Sequence, residues 1–189
     1  TLASGEARRP WPWADTHPVA RLRFEREGLS QVVLAGDSGR TLAFGPGWAE
    51  SSAAPGTPGT TVLSGHRDTH FRWLQTLRKG DRLVVETRAG RRAYEVVAHR
   101  VANASHEQLA VSIGVDQLLL VTCWPFDGSA PRGPLRYLVT LAPVGSGRGD
   151  FRAHAADDIG IVRGVEDGRS GDEGVGARGG NGADVVGLH

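Results

Sequence analysis

Three side chains in this sequence have the types and placement for covalent chemistry at a carbonyl group: the thiol of Cys123, the imidazole of His66 and the guanidinium of Arg136. A thiolate attacks an acyl carbon, and an imidazole hands a proton to a leaving amine and later takes one back. A guanidinium adds a fixed charge and a fork of donors. None of the three is persuasive singly. A lone free cysteine is more often a small buried hydrophobe than a nucleophile. An isolated arginine in a strand reads first as a solvated edge group.

The elements that must position these groups are legible around them. Cys123, the only cysteine, ends an unbroken apolar run, Leu118-Leu119-Leu120-Val121, that Asp116 and Pro125 bound. Such a run reads as a strand buried on both faces. Pro125 has no N–H for a ladder bond and biases Trp124 away from helix, so the strand is expected to stop near Cys123, where a loop begins. A second short apolar strand, Thr61-Val62-Leu63-Ser64, delivers Gly65-His66-Arg67-Asp68-Thr69-His70. Arg136 opens a third strand beyond the loop that carries Asp127-Gly128-Ser129-Ala130-Pro131.

A rival use of the histidine stretch is metal binding. His66, Asp68 and His70 alternate, and on extended backbone they would face one side. No fourth ligand cluster accompanies them, so the preferred reading is a hydrogen-bonded turn after His66, with no metal and no cofactor. Arg67 is then expected on the surface or behind the site.

Taken together, Ser64-Gly65-His66-Arg67-Asp68-Thr69-His70-Phe71, Leu120-Val121-Thr122-Cys123-Trp124-Pro125-Phe126, Gly128-Ser129-Ala130-Pro131 and Arg136-Tyr137-Leu138-Val139 resemble the sortase family. The pattern is a GHR-type histidine turn, a TLxTC nucleophile strand and an arginine at the start of the next strand. It extends over roughly residues 20–143. Leu119 stands where the family usually has its first threonine, while Thr122 beside the thiol is retained. The stretch Arg9-Pro10-Trp11-Pro12-Trp13-Ala14-Asp15 is most similar to the sortases of Gram-negative bacteria.

The resemblance implies an all-β fold, a sortase-type closed barrel of seven or eight strands with short connecting helices. It implies a cysteine transpeptidase that cleaves a C-terminal, LPxTG-like sorting signal of a partner protein through a thioester and passes the acyl group to an amine. Cys123 would be the nucleophile, His66 the acid and base, and Arg136 the oxyanion or substrate clamp. The backbone N–H after the nucleophile is a second candidate oxyanion donor. Thr122 and Trp124 are the expected substrate-side residues. Arg132 competes with Arg136, but only Arg136 runs directly into an apolar strand, as in the family. An anchor helix preceding Thr1, and a catalytic domain outside the cytoplasm at the cell envelope, are implied in the same way. The readings to be set against this one are a hydrolytic cysteine peptidase and a non-catalytic binding barrel with a structural thiol.

Composition sets the outer bounds. The 189 residues are 39% hydrophobic and 23% charged, ordinary values for one globular domain with a proper core. A net charge of +1 gives no reason to expect a nucleic-acid partner or an acidic membrane surface. No apolar run reaches the roughly 18 residues a membrane span needs, and no signal peptide is visible.

In chain order, residues 1–17 read as an irregular lead-in, 18–143 as the catalytic domain and 144–189 as a glycine-rich, disordered tail. Within the domain, 21–26, 31–35 and 40–44 are expected as strands, with a hairpin turn at 36–39. Residues 45–60 read as a surface loop with a helical turn at 48–52. The spacing of Phe71, Trp73, Leu74 and Leu77 predicts a short helix stopped at Gly80. Residues 81–87 and 92–101 form a hairpin around 88–91. Residues 103–114 are expected as a connector over the site, partly helical about Glu107. His17, His99, His106, His154 and His189 read as surface groups.

Overall fold

The computed structural model describes residues 15–111, 115–127, 133–145, 161–163 and 184–186. The strands are β1 (Pro18–Phe24), β2 (Leu29–Ala35), β3 (Gly47–Trp48), β4 (Thr60–Ser64), β5 (Arg82–Thr87), β6 (Gly90–Asn103), β7 (Glu107–Val111), β8 (Gln117–Cys123), β9 (Leu135–Pro143), β10 (Ile161–Arg163) and β11 (Asp184–Val186). Eight of them close into a barrel in the order β1-β2-β3-β4-β8-β9-β6-β5, and β1 pairs with β5 to complete the ring. The expected all-β barrel is therefore present, at the upper of the two expected strand numbers. Closure leaves its members without an open edge.

The strands that hold the site form because their sequences suit burial from both sides. β4 and β8 run parallel, with Thr60 opposite Gln117 and Ser64 opposite Val121. Parallel strands are covered on both faces, which is why both read as continuous apolar runs rather than alternating ones. β8 pairs on its other side with β9, antiparallel. Successive side chains then separate to opposite faces. Leu118 and Leu120 join Phe24, Leu63, Phe71, Leu74 and Tyr94 in the main core inside the barrel. Leu119 and Val121 join Ala49, Val62, Ala102 and Leu138 in a smaller apolar layer. β6 is long enough to pair with β5 through its first half and β9 through its second, and it bends at a bulge between Val96 and Ala98.

Several connections differ from the sequence expectation. Residues 40–44 are not a strand: α1 (Gly39–Leu42) forms one helical turn, capped by the Ser38 hydroxyl accepting from the Thr41 N–H at 3.3 Å. The segment 36–39 is accordingly a helix entry and not a hairpin turn. Gly47 and Trp48 are not loop or helix but barrel strand, bridging β2 in parallel and β4 in antiparallel fashion. The site is crowded enough that a Cβ on Gly47 would lie 2.3 Å from the Gly36 carbonyl oxygen. The helix after Phe71 is a 3₁₀ turn, Arg72–Thr76, that ends before Gly80. The β5–β6 turn is tighter than expected, since Thr87 already faces Gly90. Glu107 begins a strand and not a helix. β7 is paired by β10 on one edge and β11 on the other, so its partners lie far along the chain.

Candidate active site

Cys123 is the last residue of β8 and stands directly opposite Arg136, the second residue of β9. By strand alternation its side chain belongs to the face of Leu119 and Val121, while Thr122 turns toward the main core. The thiol is half-buried. Immediately after it, the Trp124 N–H donates to the Leu135 carbonyl at 3.0 Å, and the Trp124–Pro125 peptide is cis. That N–H is therefore already engaged, and does not stand open as the second oxyanion donor that the sequence suggested.

His66 arrives from the neighbouring strand. Beyond Ser64, the Gly65 N–H continues the parallel ladder by donating to the Val121 carbonyl at 3.1 Å. The Thr122 hydroxyl donates back to the Gly65 carbonyl at 2.7 Å. These two bonds fasten the residue before the imidazole to the two residues before the thiol. His66 is exposed, and its carbonyl accepts the Phe71 N–H at 2.9 Å, which closes the turn. Gly65 is obligatory here because a Cβ would lie 2.7 Å from the Phe71 ring, itself fully buried.

Arg136 is half-buried, and its Nη1 donates to the carbonyls of Gly133 at 2.8 Å and Leu135 at 3.0 Å. These bonds pin the guanidinium to the start of its own strand, on the side where Cys123 ends. Arg132, its rival, lies outside the described residues, as do residues 9–14 of the stretch that carried the subfamily resemblance.

Trp124 belongs to an aromatic cluster beneath the thiol turn. It stacks on Tyr137 with ring centroids 5.5 Å apart and meets Phe126 edge-on at 5.6 Å. The Tyr137 hydroxyl lies 2.9 Å from His99 Nδ1. His99 is therefore a partnered, half-buried group and not the surface residue expected. Burial, reinforced by the charge of Lys79, holds its pKa below the ordinary imidazole range. Burial also raises the Tyr137 phenol above its usual value.

Of the two places that the sequence left open for Arg67, the structure takes the one behind the site: the side chain is buried, 8% exposed. Its Nε and Nη2 fork onto the Asp68 carboxylate at 2.8 and 3.0 Å, and its Nη1 donates to the Pro125 carbonyl at 2.7 Å. The Asp68 hydrogen bond raises the Arg67 pKa against the opposing effect of burial. The same bond holds the Asp68 carboxyl below the usual carboxylate range. Both Asp68 oxygens are thus engaged by Arg67. Among the described residues, no group of three or more His, Cys, Asp and Glu side chains is placed to hold a metal ion.

Fold and site together define a class of protein: an eight-stranded closed barrel that ends one strand on a thiol and bonds a histidine turn to it. The chain belongs to the sortase family, whose domain model matches residues 22–144. It is 34% identical over 110 residues to Sortase D of Bacillus subtilis (strain 168), which covers 57% of this chain and 54% of that protein. The chain thus spans about half the length of that relative. Among solved structures, Sortase A from Corynebacterium diphtheriae superposes with a TM-score of 0.62 at 25% identity, covering 73% of this chain and 66% of that one. A Clostridium perfringens Sortase D5 transpeptidase gives 0.59 at 25% identity, covering 68% and 80%. The family is associated with the cell envelope and acts on substrate proteins that carry a sorting signal. Among the described residues no helix is long and apolar enough to cross a membrane.

Proposed function

We propose that the protein is a cysteine transpeptidase acting on a C-terminal, LPxTG-like sorting signal of a partner protein. One observation carries the reading: Cys123 ends its strand directly opposite Arg136, while the turn that bears His66 is hydrogen-bonded to the same strand end. The Cys123 thiolate attacks the scissile carbonyl carbon, forming a C–S bond and a tetrahedral oxyanion. Arg136 supplies charge and donors to that oxyanion or to the adjacent substrate carbonyls. The C–N bond then breaks, His66 protonates the departing amine, and a thioester remains. An incoming amine gives a proton to His66 and attacks the thioester, which re-forms a C–N bond and releases the thiolate.

Thr122 serves this chemistry by fixing the two turns, and Trp124 by lining the substrate side of the thiol. Attachment through a membrane anchor, with the domain facing the outside of the cell, completes the proposal. It follows from the family and awaits its own test by fractionation of the full-length product.

The decisive experiment incubates the protein with LPxTG-like peptides, with and without an added primary amine, and identifies products by mass. Transfer of the acyl fragment to the amine, with a Cys123 thioester trapped on the way, is the expected result. Carboxylate product alone, unchanged by amine, would make the protein a hydrolytic cysteine peptidase. A Cys123 inert to both peptide and alkylating reagent would leave a binding barrel with a structural thiol.

A further inference from the structure

We propose that Arg67 is a positioning residue for the thiol turn, holding the backbone just beyond Cys123 through the Pro125 carbonyl so that the thiol keeps a fixed place relative to the turn that bears His66. The inference rests on the reading of Cys123 and His66 as the reacting pair.

The geometry points this way for three reasons. Arg67 follows His66 directly, so its backbone moves with the histidine turn. Its Nη1 bond to Pro125, at 2.7 Å, crosses to a loop 58 residues further along the chain. The Asp68 fork is arranged unusually for a stabilising surface pair: the guanidinium side chain is 9% exposed and the carboxylate 70%. A carboxylate in water adds little to stability by attracting a cation. What the fork does here is fix the plane of the guanidinium, which leaves Nη1 aimed at Pro125. Two latches then join the turns, Thr122 to Gly65 before the thiol and Arg67 to Pro125 after it. Cys123 and Asp127 add, after Asp68, to the raising of the Arg67 pKa.

The test compares wild type with Arg67→Gln, Arg67→Lys and Asp68→Asn. The first readout is the rate of Cys123 alkylation by iodoacetamide at one fixed pH in the free protein, which needs no substrate. The second is kcat and KM for LPxTG-like peptide plus amine. Arg67→Gln is expected to change the rate of Cys123 alkylation, because the backbone beyond the thiol loses its tether to the histidine turn. It is expected to lower kcat about tenfold or more with KM within about twofold, as for a loss of alignment and not of binding. Arg67→Lys should leave the alkylation rate altered and kcat low, because an ammonium keeps the charge but loses the planar fork that aims a donor at Pro125. Asp68→Asn, at an exposed side chain, guards against a misfolded Arg67 variant and should lower kcat in the same direction by a smaller factor.

A folded Arg67→Gln protein with unchanged alkylation rate and unchanged kcat would overturn the proposal, and so would an unaffected Asp68→Asn if Arg67→Gln does not fold. If wild type fails to transfer peptide while the alkylation rate still changes in Arg67→Gln, the transpeptidase reading falls and the positioning role stands.

Discussion

The hydroxyl of Thr122, one residue before the thiol, donates to the carbonyl of Gly65, one residue before the imidazole, at 2.7 Å in a buried setting. Thr122→Val keeps the shape and removes the donor, leaving a buried carbonyl short of a partner. The cost expected is about 1 to 3 kcal/mol, read as a lower urea midpoint with unchanged slope. Thr122→Ser, which keeps the hydroxyl, should recover most of it.

Cys123→Ala is expected to abolish thioester formation and turnover while leaving the melting temperature close to wild type, because the thiol is small and only half-buried. His66→Ala should be equally well folded, since the imidazole is exposed. Its kcat should fall by about 10²- to 10⁴-fold, the usual share of a general acid–base group. Stopped-assay kinetics beside a thermal melt separate the two effects, and a wild-type rate in His66→Ala would remove the imidazole from the mechanism.

Arg136→Lys retains a cation but cannot reproduce the planar fork that is braced on Gly133 and Leu135. The expected penalty is about 3 to 4 kcal/mol on acylation, comparable to the loss of one oxyanion donor. Arg132→Lys, assayed for thioester formation on the same peptide, should remain near wild type. The reverse pattern would assign the role to Arg132.

Gly65→Ala asks what the histidine turn tolerates. The new methyl would lie 2.7 Å from the Phe71 ring, which is enclosed by the main core and has nowhere to move. Overpacking of this kind costs about 1 to 3 kcal/mol. Chemical denaturation should show that loss, and activity should fall with it because the turn carrying His66 must shift.

Acid should weaken the fold partly through His99. Burial first, and Lys79 second, depress its folded pKa, so the unfolded chain takes up its proton earlier on acidification. Stability is then fully present above the unfolded value of about 6.5 and is lost as pH falls through the folded value. His70, lowered by burial and then by the charge of His66, acts with the same sign. His99→Gln should flatten part of the decline when urea midpoints are plotted against pH. An unaltered slope would show that His99 is not among its sources.

β4, β8 and β9 were legible because each is an apolar run with a strong stop: Gly65 after the first, Pro125 after the second, Pro143 at the end of the third. Cys123 and His66 stand at the stops of two of those runs and Arg136 at the start of the third, which is why these three could be picked out as candidates. What escaped the sequence depended on remote partners. Gly47 and Trp48 are strand only because β2 and β4 flank them. β7 looks like a polar connector until residues beyond 160 pair with both its edges. Residues 40–44 read as a short strand, but Ser38 caps a helical turn there first. For Arg67 the sequence left surface and buried placements open, because its burial depends on a carbonyl in the loop after Cys123.

The parallel pairing of β4 with β8 has a consequence for how activity is lost. Gly65 and Thr122 are 57 positions apart, and β5, β6 and β7 all intervene between their strands. No hairpin contains both turns. The β8–β9 pair carries thiol and guanidinium without the imidazole, and β3–β4 leads to the imidazole without the thiol. Any fluctuation that separates β4 from β8 dismantles the proposed reacting pair, and no smaller folding unit can preserve it. The Gly65 amide, held on Val121, should therefore exchange with solvent deuterium only through openings of the whole barrel. Catalytic competence and global cooperativity then become one observable, and activity should vanish along the same denaturation curve as the strands themselves.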